Sequence, residues 1–489
     1  MSKGNLFFYF LNFDNKFIFA LLKKKKRMEY DLLVLGSGPG GYVAAIRAAQ
    51  LGMNVAVIEK SELGGICLNW GCIPTKSLLK SAQVLEYINH AKEYGIEING
   101  EVNARFEDII LRSRTVAEGM SKGIQYLFKK NKITVIAGFG KLIDKHQIEV
   151  KTDDKTELVS GKHIIIATGS RSKELPNLKQ DGEKIIGYKD ALSLAKKPAS
   201  MLIVGSGAIG VELAQFYHAM GTQLTIVEFM PTLIPNEDEE LAKTLGRSLK
   251  KAKIKVMTNA LVETVDTSRE LCELTIKTKK GIEKHQAEIV LSAVGITPNI
   301  ENIGIEELGI EIEKGKIKVN EFYQTNIESV YAIGDIVHGQ ALAHVASAEA
   351  IACVEAICNK NPEAVDYHNV PSCIYTSPEV ASVGMTEKMA IDSNYDIKVG
   401  KFPFTASGKA SAAGTREGFV KLIFDAKTDL LLGGHLIGAN VTEMIAELVS
   451  IRKAGTTAHQ IIKTIHPHPT MSEAIMEAAA AAYDEVIHL

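Results

Sequence analysis

The chain has 489 residues, with 56 Lys plus Arg against 58 Asp plus Glu and a net charge of −2. That length holds roughly two to four domains, each able to bury a core, and the even charge balance offers no basic field for nucleic acid. Six scattered cysteines are too few for a secreted disulfide scaffold, and apolar runs such as Ile164–Ala167 are strand length, not membrane length.

Residues 1–22 are rich in phenylalanine and are followed by Lys23-Lys24-Lys25-Lys26-Arg27. A secretory signal places its positive charges before the apolar part and ends in small residues; here the order is reversed and no A-x-A site follows. A mitochondrial presequence is rich in arginine and serine, and this segment has one of each. Residues 1–27 therefore read as an extension outside the folded unit, disordered or the product of a misassigned start codon. A membrane-touching segment is the alternative.

Tyr30–Leu35 reads as an apolar strand. It runs into Gly36-Ser37-Gly38-Pro39-Gly40-Gly41, a small-residue helix to about Leu51, and a second strand at Asn54–Glu59. The same order returns at Met201–Val204, Gly205-Ser206-Gly207-Ala208-Ile209-Gly210, a helix, and Gln223–Glu228. Gly36 to Glu59 and Gly205 to Glu228 are equally far apart. One G-x-G-x-x-G is weak evidence. A strand before it, a helix after it and a following acidic residue make each copy specific, and two copies make chance improbable. The glycines let the backbone turn tightly and approach a pyrophosphate. The helix N-terminus offers free N–H groups to the phosphates, and the glutamate accepts from a ribose hydroxyl.

Between the two copies stands Cys67-Leu68-Asn69-Trp70-Gly71-Cys72. A disulfide there closes a very small ring. By loop entropy it stabilises the fold by only about 2 kcal/mol, against nearly 5 for a hundred-residue loop. A bond that contributes so little, beside a nucleotide site, is made to be broken. Ile73-Pro74 follow, and proline suits a first helical turn. Cys72 is thus expected at a helix N-terminus, where the dipole favours thiolate. Lys76 falls on the same helical face.

Ile164–Ala167 leads into Thr168-Gly169-Ser170, and Val330–Ile333 into Gly334-Asp335; each strand end can bring a turn against a cofactor. From Pro371 onward the pattern changes to short alternating strands, Phe419–Phe424 and Leu431–Ile437, followed by helices, which reads as a separate α+β domain. Near its end, His466 and His468 flank prolines. Thr470-Met471-Ser472-Glu473 fits a capping box. Cys272, Cys353, Cys358 and Cys373 show no motif and read as ordinary reduced, buried thiols. No His/Cys spacing suits a metal.

These residues resemble the flavin-dependent pyridine-nucleotide disulfide oxidoreductases from about Met28 to the C-terminus. The match rests on the two glycine loops, Gly64-Gly65-Ile66-Cys67 through Cys72-Ile73-Pro74-Thr75-Lys76, Ala167–Ser170, Ala293-Val294-Gly295, Ala332–Asp335 and His466–Glu473. The resemblance implies an α/β fold of two Rossmann-like domains with an NAD domain (177–297) inserted in an FAD domain (28–176 and 298–366), followed by an α+β dimerisation domain (367–489). It implies FAD on Gly36, Gly38, Gly41 and Glu59, with Gly140, Thr168, Gly169, Ser170, Asp335 and the turn Ala341, Leu342, Ala343, His344 lining the rest. It implies NAD on Gly205, Gly207, Gly210, Glu228 and Gly295. Cys72 would face the flavin, with Lys76 nearby and paired to Glu212 of the second nucleotide helix. Cys67, on the preceding loop, would be the accessible sulfur that the substrate thiol attacks. His468 would be the general base, supplied by the other subunit of a homodimer. Glu473 caps a helix, orients His468, or does both, and His466 reads as a packing residue.

The activity so implied is oxidation of a protein-bound dihydrolipoyl group with reduction of NAD+. The partner is a lipoyl-bearing acyltransferase or glycine-cleavage protein, the location cytoplasmic, with no membrane or nucleic acid involved. A glutathione reductase is the first rival. It prefers NADPH, and a 2′-phosphate beside Glu228 is repelled by roughly 4 kcal/mol per charge pair at 4 Å and an effective dielectric of 20. A mercuric reductase carries a C-terminal cysteine pair, and no cysteine follows Cys373 here. A non-catalytic FAD-bound scaffold is disfavoured by Cys67, Cys72, Lys76, His468 and Glu473 standing together.

Overall fold

The computed structural model describes residues 29–489, and the extension expected at residues 1–27 lies outside them. The first sheet has the parallel strands Thr134–Ala137, Val55–Glu59, Glu29–Leu35 and Thr156–Ile166 side by side. Val330–Ala332 pairs in parallel with the end of Thr156–Ile166, while the antiparallel hairpin Phe139–Asp144/Gln147–Lys151 joins the start of that strand. Leu32, Leu33, Val34 and Leu35 are all buried. Such an unbroken apolar run belongs to a strand covered on both faces.

The helix Pro39–Gln50 buries Gly40, Gly41, Ala44, Ala45 and Ala48. It lies close to the helix Ala343–Ile357: a Cβ on Gly40 would sit 3.4 Å from the Ala346 carbonyl oxygen. Small residues are what let two backbones approach this closely.

The second sheet lies in chain order between strands of the first. Its parallel strands run Lys255–Met257, Gln223–Val227, Ser200–Val204, Ile289–Ser292 and Ile185–Ile186. One Rossmann-like unit is therefore inserted in the other. A three-stranded antiparallel sheet, Leu261–Asp266, Cys272–Thr278 and Gly281–Ala287, follows its helix Glu239–Lys251.

The C-terminal unit is a five-stranded antiparallel sheet in the order Ser372–Ile374, Glu379–Gly384, Leu431–Gly438, Phe419–Asp425, Ile397–Pro403. Val420, Leu422 and Phe424 pack under the helices Val441–Ala454 and Glu473–Ala481. The alternation expected for Phe419–Phe424 does not mark a solvent face, because all seven residues of Phe419–Asp425 are buried. Phe419 and Ile437 join the core of the inserted unit. Two residues along the strand from Phe419, Lys421, 1% exposed, is held by Asp238 at 3.1 Å, Glu240 at 3.0 Å and Glu387 at 2.6 Å. Both faces of the sheet are covered, one by its own helices and one by the inserted unit. Among the described residues no helix is long and apolar enough to cross a membrane.

Candidate active site

The two glycine loops repeat each other closely at their first and last glycines. Gly36 and Gly205 both sit at φ +101, where L side chains are strained. A Cβ on Gly36 would lie 2.4 Å from the Ala167 carbonyl oxygen, and one on Gly205 would lie 2.4 Å from that of Ala293. A Cβ on Gly41 would lie 1.9 Å from the Gly36 oxygen, and one on Gly210 2.1 Å from the Gly205 oxygen. At Gly38 and Gly207, by contrast, no atom comes nearer than 4.0 Å. The outer glycines are required by the turn and by helix packing. The middle ones face open space where a pyrophosphate can approach. Neither Gly38 nor Gly207 caps its helix with a side chain, so the first N–H groups are free for anionic oxygens.

Glu59 and Glu228 close these loops through an unforeseen partner. Oε2 of Glu59 accepts from the Ser37 N–H at 2.8 Å and its hydroxyl at 2.7 Å; Oε2 of Glu228 accepts from Ser206 at the same two distances. Each other oxygen accepts one further N–H, from Ser61 or Met230. A carboxylate offers about four acceptor sites, so each keeps capacity for a ribose hydroxyl while it pins the loop. The serine inside each G-S-G was the available sequence signal. These features fit two dinucleotides.

The cysteine motif folds as two helices, Gly65–Trp70 and Cys72–Asn89, broken at Gly71. Cys72 is the first residue of the longer helix. Cys67 lies within the short helix rather than on a loop, because Gly64 and Gly65 at φ +96 and +61 turn the chain straight into it. As whole residues, Cys67 packs half-buried against the first core and Cys72 is the more exposed of the two. The pair is in the dithiol form. A hydrogen bond from Cys67 is the largest influence on Cys72, and with the nearby Lys76 it outweighs burial and lowers the Cys72 thiol to about 7. The Cys67 thiol is pushed far up by the same bond and by burial. One sulfur is thus a thiolate near neutrality and the other its proton donor.

Lys76 Nζ is 2.7 Å from Glu212 Oε2 and 4.3 Å from the centre of the Tyr375 ring. Glu212 is buried and its Oε1 accepts the Tyr375 N–H at 3.0 Å. Trp70 carries two cations over its ring, the Arg114 guanidinium at 3.9 Å and Lys189 Nζ at 4.6 Å. Tyr375, Arg114 and Lys189 lie far from the motif in sequence, and no pattern announces them.

Nδ1 of His468 lies 2.9 Å from Glu473 Oε1, and Glu473 Oε2 accepts the Thr470 N–H at 2.8 Å. The carboxylate therefore orients the ring and satisfies a helix-entry N–H together. Only this half of the capping box forms, since the Thr470 hydroxyl turns to Pro467 O. Burial pushes the Glu473 carboxyl up, the Thr470 and His468 bonds pull it down, and the net shift is downward. The His468 side chain is 78% exposed and looks away from this chain's core. The His466 side chain is buried, as a packing role requires, and its 2.7 Å bond to Glu447 raises its pKa.

Asp335 Oδ2 accepts the Ser170 hydroxyl at 2.5 Å, bringing the two strand ends together. Gly169, at φ +66, has open space on its Cβ side, as does Gly295 at φ +115. Thr168 is turned to the Asn299 carbonyl at 2.7 Å. Gly140 has a packing reason of its own, because a Cβ there would meet Leu35 at 2.5 Å. Ala341 and Leu342 lead into the helix that Ala343 begins, and His344 Nε2 lies 3.0 Å from Pro371 O. Cys272 and Cys353 are fully buried, and Cys358 and Cys373 only half-buried.

A family model described as pyridine nucleotide-disulphide oxidoreductase matches residues 30–350, and one described as that family's dimerisation domain matches residues 370–479. The dihydrolipoyl dehydrogenase of Rhizobium etli is 43% identical over 476 residues, covering 94% of this chain and 99% of its own length. That of Zymomonas mobilis is 44% identical over 462 residues, covering 94% and 99%. Among solved structures, LpdA from Mycobacterium tuberculosis superposes with a TM-score of 0.86 at 25% identity, covering 92% of this chain and 98% of its own. The HOCl-induced flavoprotein disulfide reductase RclA from Escherichia coli gives 0.82 at 26%, covering 92% and 99%. From the first glycine loop to the helix behind His468 the sequence falls almost entirely under these two models, so the chain belongs to the pyridine nucleotide-disulphide oxidoreductase family.

Proposed function

We propose that the chain is a dihydrolipoyl dehydrogenase that oxidises protein-bound dihydrolipoamide with reduction of NAD+. The observation that carries this is likeness to relatives of that name over nearly the whole chain, 43% and 44% identical with 94% covered. The first glycine loop takes FAD and the second NAD. Bound there, FAD would accept the electron pair of the dithiol and NAD+ would take it up as hydride.

The side chains divide the remaining work. Glu473 holds the His468 Nδ1–H, which leaves Nε2 free to take the proton of a substrate thiol. The substrate thiolate attacks Cys67 Sγ of the oxidised enzyme, breaks the Cys67–Cys72 bond and leaves Cys72 as thiolate. The second substrate thiolate then attacks the substrate sulfur of the mixed disulfide. It expels Cys67 and closes the lipoyl disulfide. The dithiol state so produced is the one described above, with Cys72 ionised and hydrogen-bonded by Cys67.

The exposed His468 serves the cysteines of a second subunit, so the working unit is a homodimer. The lipoyl group arrives on a larger protein, an acyltransferase or glycine-cleavage component in the cytoplasm. A steady-state comparison tests this. Dihydrolipoamide with NAD+ should turn over far faster than glutathione disulfide or Hg2+ with NADPH, and a preference for either of the latter overturns the reading.

A further inference from the structure

The helix Ala343–Ile357 carries Glu349 into the core, where it is 1% exposed. No ion pair forms on it among the described residues, although an isolated buried charge is costly. Both its oxygens are nevertheless occupied. Oε2 accepts the Gly334 N–H at 2.6 Å and Oε1 accepts the Tyr367 hydroxyl at 2.6 Å. The Tyr367 hydroxyl is in turn 3.0 Å from that of Tyr323. Gly334 sits at φ +79 and is followed by Asp335, which accepts from Ser170. The turn is thus gripped from one side by Ser170 and from the other by Glu349. Tyr367 opens the short helical turn Tyr367–Asn369 that leads into the dimerisation unit.

We propose that Glu349 is a positioning residue for FAD: its carboxylate, held by Tyr367 and Tyr323, fixes the Gly334–Asp335 turn against the cofactor. The inference rests on the reading of that turn as an FAD contact. Burial raises the Glu349 carboxyl to about 7, against the hydrogen bonds from Tyr367 and Gly334 that favour the anion. The other groups that face it are Asp335, which raises it further, Lys316, which lowers it, and the buried Cys353 on its own helix. Above that pH, Gly334 donates to a carboxylate. Below it, the carboxyl is neutral, the Tyr367 hydroxyl turns to Tyr323, and the bond from Gly334 loses its charge assistance.

Release of FAD from the holoenzyme on dilution, followed by free-flavin fluorescence from pH 5.5 to 8.5, tests this. In the unmutated protein release should quicken several-fold as pH falls through about 7. Glu349→Gln should be flat across the range, and Glu349→Leu should release FAD about tenfold faster at pH 8. Tyr367→Phe, which loses a bond that favours the anion, should move the step to higher pH. A flat profile in the unmutated protein, or the same step in Glu349→Gln, overturns the proposal. Asp335→Ala separates the two layers of the argument. If it holds FAD as tightly as the unmutated protein, the FAD reading of the turn fails and the proposal with it. If it leaks FAD while Glu349→Gln keeps the step, the role of Glu349 alone is overturned.

Discussion

Lys76 and Glu212 meet at 2.7 Å, and this one ion pair ties the helix of the cysteine motif to the helix of the second glycine loop. The two partners act on Cys72 with opposite sign: Lys76 lowers its pKa and Glu212 raises it. Lys76→Met should therefore raise the titration of Cys72, followed as thiolate absorbance, by about one pH unit. Glu212→Gln should lower it. Shifts in the same direction for both variants would show that the pair acts on geometry and not on charge.

The largest influence on Cys72 is the bond from Cys67. Cys67→Ala removes the donor and should carry the Cys72 titration upward from about 7. Cys67→Ser keeps a donor and should leave it lower than in the alanine variant. Because the folded pKa is depressed, alkylation of Cys72 should slow as pH falls through 7 in the unmutated dithiol protein, and from a higher pH in Cys67→Ala. Equal pH profiles for the alanine and serine variants would remove the hydrogen bond as the cause.

Glu228 is expected to exclude a 2′-phosphate. Turnover with NAD+ should exceed that with NADP+ by orders of magnitude, and Glu228→Ala should narrow the gap. Since Glu228 also holds both donors of Ser206, the variant should bind NAD+ more weakly. A Ser206→Ala variant should show the weaker binding without the change in preference. Comparable turnover with both cofactors in the unmutated enzyme counts against this role.

Crossed sites predict complementation. Cys67→Ser and His468→Gln are each inactive, yet each mixed dimer regains one site with Cys67 from one chain and His468 from the other. Random exchange of equal amounts should restore roughly a quarter of the activity, since half the dimers are mixed and each has one working site of two. No recovery despite proven exchange would put both residues in one chain's site.

Lys421 stands among three carboxylates at 1% exposure. Lys421→Met leaves the buried Asp238 without its lysine, while Glu240 keeps Lys401, and should destabilise the fold by about 3 kcal/mol. Urea unfolding would show it as a lower midpoint, and an unchanged midpoint would mean that Asp238 is hydrated rather than buried against the lysine.

What the sequence made legible follows from backbone sterics. Gly36, Gly41, Gly205 and Gly210 stand where any side chain collides with a carbonyl oxygen, so their spacing announces the loops. The helix at Cys72 is announced by Pro74. Lys421 was hidden because a strand lysine among apolar neighbours reads as solvent-facing, and only the docking of a second domain covers it. Glu349 was hidden for a related reason: a glutamate in an alanine-rich helix looks exposed until Gly334 and Tyr367 close over it. The helical setting of Cys67 depended on two left-handed glycines, Gly64 and Gly65, that convert a presumed loop into a helix.

Trp70 is the one tryptophan of the chain and stands in sequence between the two reactive cysteines. Over its ring stand Arg114, from the helix Phe106–Lys130, and Lys189, from the helix Tyr188–Ala191 at the edge of the inserted sheet. Every photon of indole emission from this protein therefore originates within the cysteine motif. The charges that tune its colour and yield belong to two different nucleotide-binding units. Stopped-flow fluorescence of the unlabelled native enzyme can thus follow thiol exchange and the relative movement of those units on one channel.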